Sequence, residues 1–449
     1  MGTNNTYDLI VLGTGGAGYQ VAMRAKEAGK KVALINDGLF GGTCSVRGCI
    51  PKKVLAGTAE IADINRRLAD LDIVASQPAM NWSSLITFKR SFTDDIPSST
   101  ENSIKEAGID VFTGSPRFTD NLTLEVNGST LTADKVHIAV GAKPAKLPID
   151  GFKHMITSDD FLELDELPKR IIFVGGGYIS FEFAHIASRF GAEVTILHGD
   201  DKPVAMFDDD MVKELLSASE EIGIKTELNQ LVTSIEKTAD TFLIKTKSGQ
   251  SFEADLVMHG AGRPPAIAEL NLEATNVEFD LRRGVIVNEH LQSVSNPNVY
   301  AAGDAAAAGP PLSPVAGVQG SIVAKNILGG NLEQPNYLST PSVLFTTPVV
   351  ASVGHNEASA TQSQLEYDVI NKDTSGWFDA KRLNQIHSKS KVLVEKKSGK
   401  IIGAHLIGNH TEDLINIFSL AIELGLTTDD IKKPIMAFPT ASDDMRSMF

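Results

Sequence analysis

A strand, glycine turn, helix and strand follow one another twice in this 449-residue chain, and no other feature limits its fold as strongly. Residues 7–13 (Tyr-Asp-Leu-Ile-Val-Leu-Gly) are an apolar run ending in glycine. Residues 19–29 have helical periodicity and stop at Gly29, and residues 31–35 begin a second apolar run. The order returns at residues 170–175, 179–191 and 193–197. Each set reads as a βαβ unit with a glycine-rich first turn, and two such units predict two nucleotide-binding domains of related topology. In the first, Gly13, Gly15 and Gly18 supply the tight turn, the backbone approach to a pyrophosphate and the close helix–strand packing. In the second, Gly175 and Gly177 are followed by Ser180 in the third glycine's place, which predicts somewhat looser packing. A ribose ligand is expected at the end of each second strand. Asn36 holds that place in the first unit and His198 in the second. His198, with Lys202 nearby, favours the extra phosphate of NADPH, whereas Asp200 and Asp201 favour NADH.

Between the units lie an amphipathic helical region over roughly 53–110 and short strands at 110–113, 122–126 and 135–140. Strands are expected near 284–287 and 299–303, helices near 317–328 and 411–425, and a linker over 330–341. The remaining C-terminal residues read as strands followed by a helix, a third domain.

Hydrophobic content of 42% and charged content of 22% fit a soluble globular enzyme. A formal net charge of −15 argues against nucleic acid or an anionic membrane surface as partner, since both repel an acidic surface. The apolar runs are short and broken by glycine, so no transmembrane helix is expected. Met1-Gly2-Thr3-Asn4-Asn5-Thr6 matches a myristoylation pattern but reads better as a polar lead into the first strand. No secretory signal is visible, and a cytoplasmic location is expected.

Only two cysteines occur, Cys44 and Cys49, five residues apart. They cannot form a stabilising framework, and in a reducing compartment a surviving pair is usually catalytic or metal-binding. No histidine lies close in sequence to complete a zinc site, so redox chemistry leads and no resident metal is expected. A helix start at this segment, with basic neighbours, would bring the sulfurs together and activate the nucleophile.

The run Gly41-Gly42-Thr43-Cys44, followed after four residues by Cys49 and then Pro51-Lys52-Lys53, resembles the active-site signature of the pyridine nucleotide–disulfide oxidoreductases. That family includes glutathione reductase, lipoamide dehydrogenase and mercuric reductase, and the wording here is nearest the first. The resemblance covers essentially the whole chain. Val299 to Asp304 is similar to the family's second FAD motif, and Leu312 to Ala316 to the segment after it. Ala139 to Pro144 and Gly260 to Pro265 are similar to its two hinge segments.

The resemblance implies an α/β fold with two Rossmann-like domains, for FAD and NAD(P), plus an α+β C-terminal dimerisation domain. The expected bounds are 1–150 and 271–333 for the FAD domain, 151–270 for the NAD(P)H domain and 334–449 for the interface domain. FAD would be held by Gly13, Gly15, Gly18, Asn36, Gly42, Thr43, Lys53, Gly141, Asp304 and Ala316. The nicotinamide cofactor, NADPH in preference to NADH, would lie on Gly175, Gly177, Tyr178, Ile179, Glu182, His198 and Gly262. Tyr178 matches the family's gating tyrosine, and Lys53 would pair with Glu182 beside the flavin. Cys49 would be the flavin-side sulfur and Cys44 the thiol that meets the acceptor. The enzyme would be a homodimer.

The chain departs from the family at its end. The family's His-Pro-Thr-x-x-Glu acid–base pair is replaced by Phe438 and Asp443. Phenylalanine transfers no proton, so the usual thiol acid–base step is absent or is taken over by Asp443, Asp444 or a water. Loss of a general acid costs about 10²–10⁴-fold, which points to a different oxidising substrate. The positions that hold glutathione in its reductases match Gly16, Met23 and Ser321, none cationic; Arg24 lies beside Met23 but is expected to point elsewhere. A small disulfide is the leading acceptor. The alternatives are a quinone, a metal ion or oxygen, or a redox-sensing flavoprotein without an efficient acceptor.

Overall fold

The computed structural model describes residues 5–75 and 79–449; the polar lead over residues 1–4 lies outside them. By contact the chain divides into two units. The first comprises residues 1–51, 87–145 and 262–337, the second 52–86, 146–261 and 338–449.

The first unit is built on a sheet ordered Asp110–Thr113, Val32–Asn36, Asn5–Leu12, Ser129–Ile138, Thr123–Val126, Arg117–Asp120, with Val299–Ala301 also paired to Ser129–Ile138. The central strands are parallel, with Leu9 beside Val32 and Val11 beside His137. Their side chains are buried on both faces, as continuous apolar runs require. The Gly16–Glu27 and Ser313–Gly329 helices pack against each other on one face, over Leu9, Val11, Val21, Val32 and Val323. The expected helix near 317–328 thus begins four residues earlier, at Ser313, because Pro314 suits a first turn.

The second unit holds a four-stranded parallel sheet ordered Leu256–His259, Arg170–Val174, Glu193–Leu197, Lys225–Glu227. The Tyr178–Arg189 helix follows its glycine turn. The same unit carries a five-stranded antiparallel sheet ordered Ser342–Leu344, Val349–Gly354, Ile401–Gly408, Lys389–Glu395, Tyr367–Asp373, covered by the Thr411–Glu423 helix. The expected C-terminal order of strands and then a helix is the observed one. The helical stretch expected over 53–110 is three helices, Cys49–Ala69, Trp82–Thr93 and Ile96–Glu106. Among the described residues no helix is long and apolar enough to cross a membrane.

Ser180, in place of a third glycine, does not loosen its turn. Its buried hydroxyl fills the space a side chain on Gly260 would occupy, 1.9 Å from where that Cβ would lie. The close approach is supplied by the neighbouring strand end instead.

Candidate functional site

In the first unit each glycine of the leading turn has a distinct reason to be glycine. Gly13 has φ +102°, and a Cβ there would lie 2.4 Å from the Ala139 carbonyl oxygen; at Gly18 it would lie 2.1 Å from that of Gly13. Gly15 faces open space, which leaves its backbone free to meet a pyrophosphate. The Gly16–Glu27 helix has no capping side chain and no acidic residue in its first turn, so its N–H groups and dipole face outward. Asn36 is buried and braced: its amide accepts from the Thr14 hydroxyl at 2.9 Å and donates to the Gly38 carbonyl at 2.8 Å. Asp37, next along, pairs with Lys143 at 3.1 Å, which helps hold its carboxyl below the usual range against the opposing effect of burial.

Asp304 sits in the turn Gly303–Ala305. Burial pushes its carboxyl above the usual range, and Arg263 opposes that. Gln319, fully buried, fixes the turn by accepting from the Gly303 N–H at 2.7 Å and donating to the Ala308 carbonyl and the Tyr337 hydroxyl. Nothing in the sequence singled out Gln319. The two hinge segments are bonded to each other. The Lys143 N–H donates to Pro264, Ala145 to Gly262 and Ala266 to Gly141, and the Arg263 guanidinium donates to the Ala142 carbonyl. The glycine cradle, the uncapped helix and the half-buried Asp304 carboxylate, which has no ion-pair partner among the described residues, fit the phosphates and polyol of FAD.

The redox segment is two helices rather than one. Gly42–Arg47 carries Thr43 and Cys44, Gly48 breaks the run, and Cys49 opens Cys49–Ala69. A Cβ on Gly48 would lie 2.8 Å from the Thr43 carbonyl and 3.2 Å from the Cys44 Cα, so only glycine lets the segment fold back. A Cβ on Gly42 would lie 2.5 Å from the Gly15 Cα. The segment is therefore pressed against the phosphate turn. Both cysteines are free thiols, Cys44 half-buried and Cys49 exposed. A hydrogen bond with Cys49, then burial, hold the Cys44 thiol far above the usual cysteine value, while a hydrogen bond with Ser313 acts the other way. The two sulfurs are thus coupled, and the hydrogen bond between them keeps the proton on Cys44. Ser313 Oγ lies 3.2 Å from Cys49 Sγ.

Arg24 reaches the Ser321 hydroxyl at 2.7 Å. The expectation that it points elsewhere is wrong. Gly16, Gln20 and Arg24 lie four residues apart and so share the helix face turned to Gly317 and Ser321.

In the second unit the Lys53–Glu182 pairing is corrected. Glu182 pairs with Lys52, Nζ to Oε1 at 2.7 Å, with side chains only 10% and 5% exposed. Glu182 also accepts the Phe345 N–H at 2.9 Å, and the Lys52 ammonium lies 4.0 Å from the Phe345 ring centroid. Lys53 turns to Glu412 at 3.5 Å, with its side chain 44% exposed. Position 53 is one residue further around the helix, about 100° away, so its ammonium shares the Phe345 ring, 4.3 Å from the centroid, but has a different carboxylate partner.

The second glycine turn is equally tight. A Cβ on Gly175 would lie 2.6 Å from the Ala261 Cα. The Tyr178–Arg189 helix has Gly177 as its N-cap and no capping side chain, with Ile179 half-buried and Tyr178 exposed. His198 is engaged at both ring nitrogens: Nδ1 accepts the Gly176 N–H at 3.0 Å, which puts the ring proton on Nε2, facing the Lys202 carbonyl at 3.1 Å. Lys202 is paired with Asp209. Phe438 is 81% exposed. Asp443 faces Arg446, and Asp444 accepts from the Asp379 N–H.

Residues 7–320 match the family model described as pyridine nucleotide-disulphide oxidoreductase, and residues 340–449 match that family's dimerisation domain. The chain belongs to the pyridine nucleotide–disulphide oxidoreductases. Members of this family are flavoprotein enzymes that use FAD and a pyridine nucleotide. The chain is 30% identical over 460 residues to a mercuric reductase of Lysinibacillus sphaericus, covering 98% of this chain and 82% of that protein. It is 31% identical over 448 residues to a dihydrolipoyl dehydrogenase of Bacillus subtilis, covering 97% and 94%. It is 30% identical over 458 residues to a glutathione reductase of Nostoc, covering 98% and 99%. Among solved structures it is similar to the Cu(II) complex of the HOCl-induced flavoprotein disulfide reductase RclA from Escherichia coli, with a TM-score of 0.88 at 25% identity over 99% of each chain.

Proposed function

We propose that this oxidoreductase takes electrons from NADH and delivers them through Cys44 and Cys49 to a thiophilic metal ion such as mercuric or cupric ion. Bound FAD would accept hydride from the nicotinamide and pass the electron pair to the cysteine disulfide. The chain's own residues do the rest. Gly13, Gly15, Gly18 and Asp304 hold the flavin nucleotide. Gly175, Gly177 and the Tyr178–Arg189 helix hold the dinucleotide, with Tyr178 as its gate. The Lys52–Glu182 pair takes the place the resemblance gave to Lys53. Reduction of the disulfide by two electrons and one proton leaves one thiol and one thiolate, and Cys44 carries the thiol that meets the acceptor.

The observation that carries the choice of acceptor is Phe438, which offers no proton where the family has its acid. Reducing a disulfide to two thiols consumes two protons, whereas reducing one mercuric ion, or two cupric ions, consumes none. The names of two similar proteins, a mercuric reductase and a reductase solved as a Cu(II) complex, support the same reading. A second reading, reduction of a small acidic disulfide, is favoured by the Arg24 guanidinium at Ser321.

NADH is preferred because His198 and Lys202, the two groups that would favour a 2′-phosphate, are committed to Gly176 and Asp209, while Asp200 and Asp201 would repel one. The exposed Ile435 and Phe438 support a homodimer. A cytoplasmic location suits a dithiol that must be kept reduced.

The test is turnover of the holoenzyme with NADH against mercuric ion, cupric ion and a panel of disulfides, for wild type, Cys44→Ser and Phe438→His. Metal-ion turnover lost in Cys44→Ser, with disulfide turnover appearing in Phe438→His, is expected. Wild-type turnover of a small disulfide faster than of either ion overturns the reading.

A further inference from the structure

The hydroxyl of Ser313 touches both sulfurs. It lies 3.2 Å from Cys49 Sγ and is also a hydrogen-bond partner of Cys44. Its place is fixed at the first residue of the Ser313–Gly329 helix, with Pro314 setting the first turn. No side chain caps this helix and no acidic residue lies in its first turn, so the N–H groups around Ser313 favour negative charge.

We propose that Ser313 is a catalytic residue whose hydroxyl passes the one remaining proton of the reduced pair from Cys44 to Cys49. The inference rests on the dithiol reading above, and it concerns the proton that stays on the cysteine pair, not the protonation of a departing thiol. A hydroxyl can donate and accept at once. The Cys44 S–H bond breaks as Ser313 Oγ takes the proton, and the Ser313 O–H bond breaks as its own proton goes to Cys49 Sγ. No electron pair leaves the three residues; the negative charge moves from Cys49 to Cys44. Cys44, otherwise held as a thiol, thereby becomes a thiolate when an acceptor arrives, with no histidine involved.

The ionisable groups near these residues on their own elements are few, since Glu60, Asp63, Arg66 and Arg67 lie further along Cys49–Ala69. Arg47 ends Gly42–Arg47, and Lys52 and Lys53 lie one turn into Cys49–Ala69. The Ser313–Gly329 helix has its first charge at Lys325. Lys52 is committed to Glu182 and Lys53 to Glu412. Arginine and lysine carry their protons at neutral pH and cannot take one from a thiol, which leaves two paths, the direct Cys44–Cys49 hydrogen bond and the Ser313 hydroxyl, and the variants below separate them.

Ser313→Thr and Ser313→Val test this, since the two differ by a hydroxyl and little in shape. The FAD-loaded enzymes are reduced with NADH, the thiols are counted, and the rate of iodoacetamide alkylation is followed at Cys44 and Cys49 separately by peptide mass between pH 6 and 9. Ser313→Thr should keep the wild-type profile. Ser313→Val should lose about tenfold or more in Cys44 alkylation near pH 7, the scale of one hydrogen bond to a charged group, with its Cys44 profile moved to higher pH. Equal profiles for the two variants overturn the relay. If NADH releases no new thiols in the wild type, the dithiol reading fails instead, and the relay with it.

Discussion

Lys52 and Lys53 are adjacent lysines in nearly opposite circumstances, and replacing each with methionine separates them. Lys52 and Glu182 are almost wholly buried and 2.7 Å apart, so removing the ammonium leaves a buried carboxylate without its counter-charge. Breaking a buried pair from one side costs about 3–5 kcal/mol. Part of this remains offset, because Glu182 still accepts the Phe345 N–H. Lys53 and Glu412 are 3.5 Å apart with the lysine largely in water, and such a pair contributes about 0–1 kcal/mol. Lys52→Met should therefore destabilise by several kcal/mol and Lys53→Met by less than one. The double variant Lys52→Met/Glu182→Gln should lose less than the sum of its single variants, by about 1–3 kcal/mol, since glutamine needs no counter-charge and can still accept the Phe345 N–H.

The assay is built into the chain. Its two tryptophans are Trp82 and Trp377, both in the second unit with Lys52 and Glu182. Trp82 packs edge-on against Phe161 and Phe190. Tryptophan fluorescence during urea unfolding thus reports the unit that holds the pair, and its midpoint is the quantity to compare. A midpoint shift for Lys53→Met as large as that for Lys52→Met would refute the reasoning.

The first unit should weaken in mild acid because of His137. Its ring is fully buried, neither nitrogen has a well-formed hydrogen bond, and burial pushes its pKa down to about 4. The folded state keeps this ring neutral while the unfolded chain takes up a proton below about pH 6.5, so stability falls as pH drops from there toward 4. The loss between pH 6.5 and 5 is about 2 kcal/mol, and His137→Leu should remove that slope in urea titrations at the two pH values. Gly48→Ala should push the redox segment off the Thr43 carbonyl and slow closure of the Cys44–Cys49 disulfide, measured as thiols lost after addition of a mild oxidant. NADH should bind at least about tenfold tighter than NADPH by calorimetry, and Asp200→Asn/Asp201→Asn should narrow the gap; tighter NADPH binding by the wild type would contradict the reading of His198.

What the sequence made legible was steric and local. A turn that forbids a Cβ must be glycine wherever the backbone passes close, so Gly13, Gly18, Gly42 and Gly175 announce themselves by spacing. The redox pair announces itself because only two cysteines exist. The failures have a common physical cause, which is rotation about a helix axis. Lys52 against Lys53 is a question of phase, and the phase of Cys49–Ala69 is set by the break at Gly48, whose folded-back backbone no periodicity reveals. Arg24 was misplaced for a related reason: the face of Gly16–Glu27 that meets Ser313–Gly329 is known only once the two helices are packed. Ser313 was legible only as part of the segment after the second FAD motif, and Gln319 not at all, because their partners lie far away along the chain or are backbone groups, and a hydroxyl or an amide alone is too common to mark a site.

On the proposed function, proton supply is where the chain differs from a reductase of small disulfides. Hydride and electron transfer would, on the same reading, depend on the glycine turns, Asp304, the Lys52–Glu182 pair and the cysteines, all of which the chain carries. Protonation of a leaving thiol depends on one side chain, and at that place stands Phe438. The deficit is therefore confined to acceptors that must be protonated as they depart. An ion reduced between two sulfurs leaves without a proton, and the one proton still on the reduced pair needs only a short path between Cys44 and Cys49. A hydroxyl 3.2 Å from Cys49 suffices for that path where it would not suffice to protonate a departing thiol from solvent. The substitution at 438 and the presence of Ser313 are then parts of one arrangement, in which the cysteine pair manages its own proton and the acceptor asks for none.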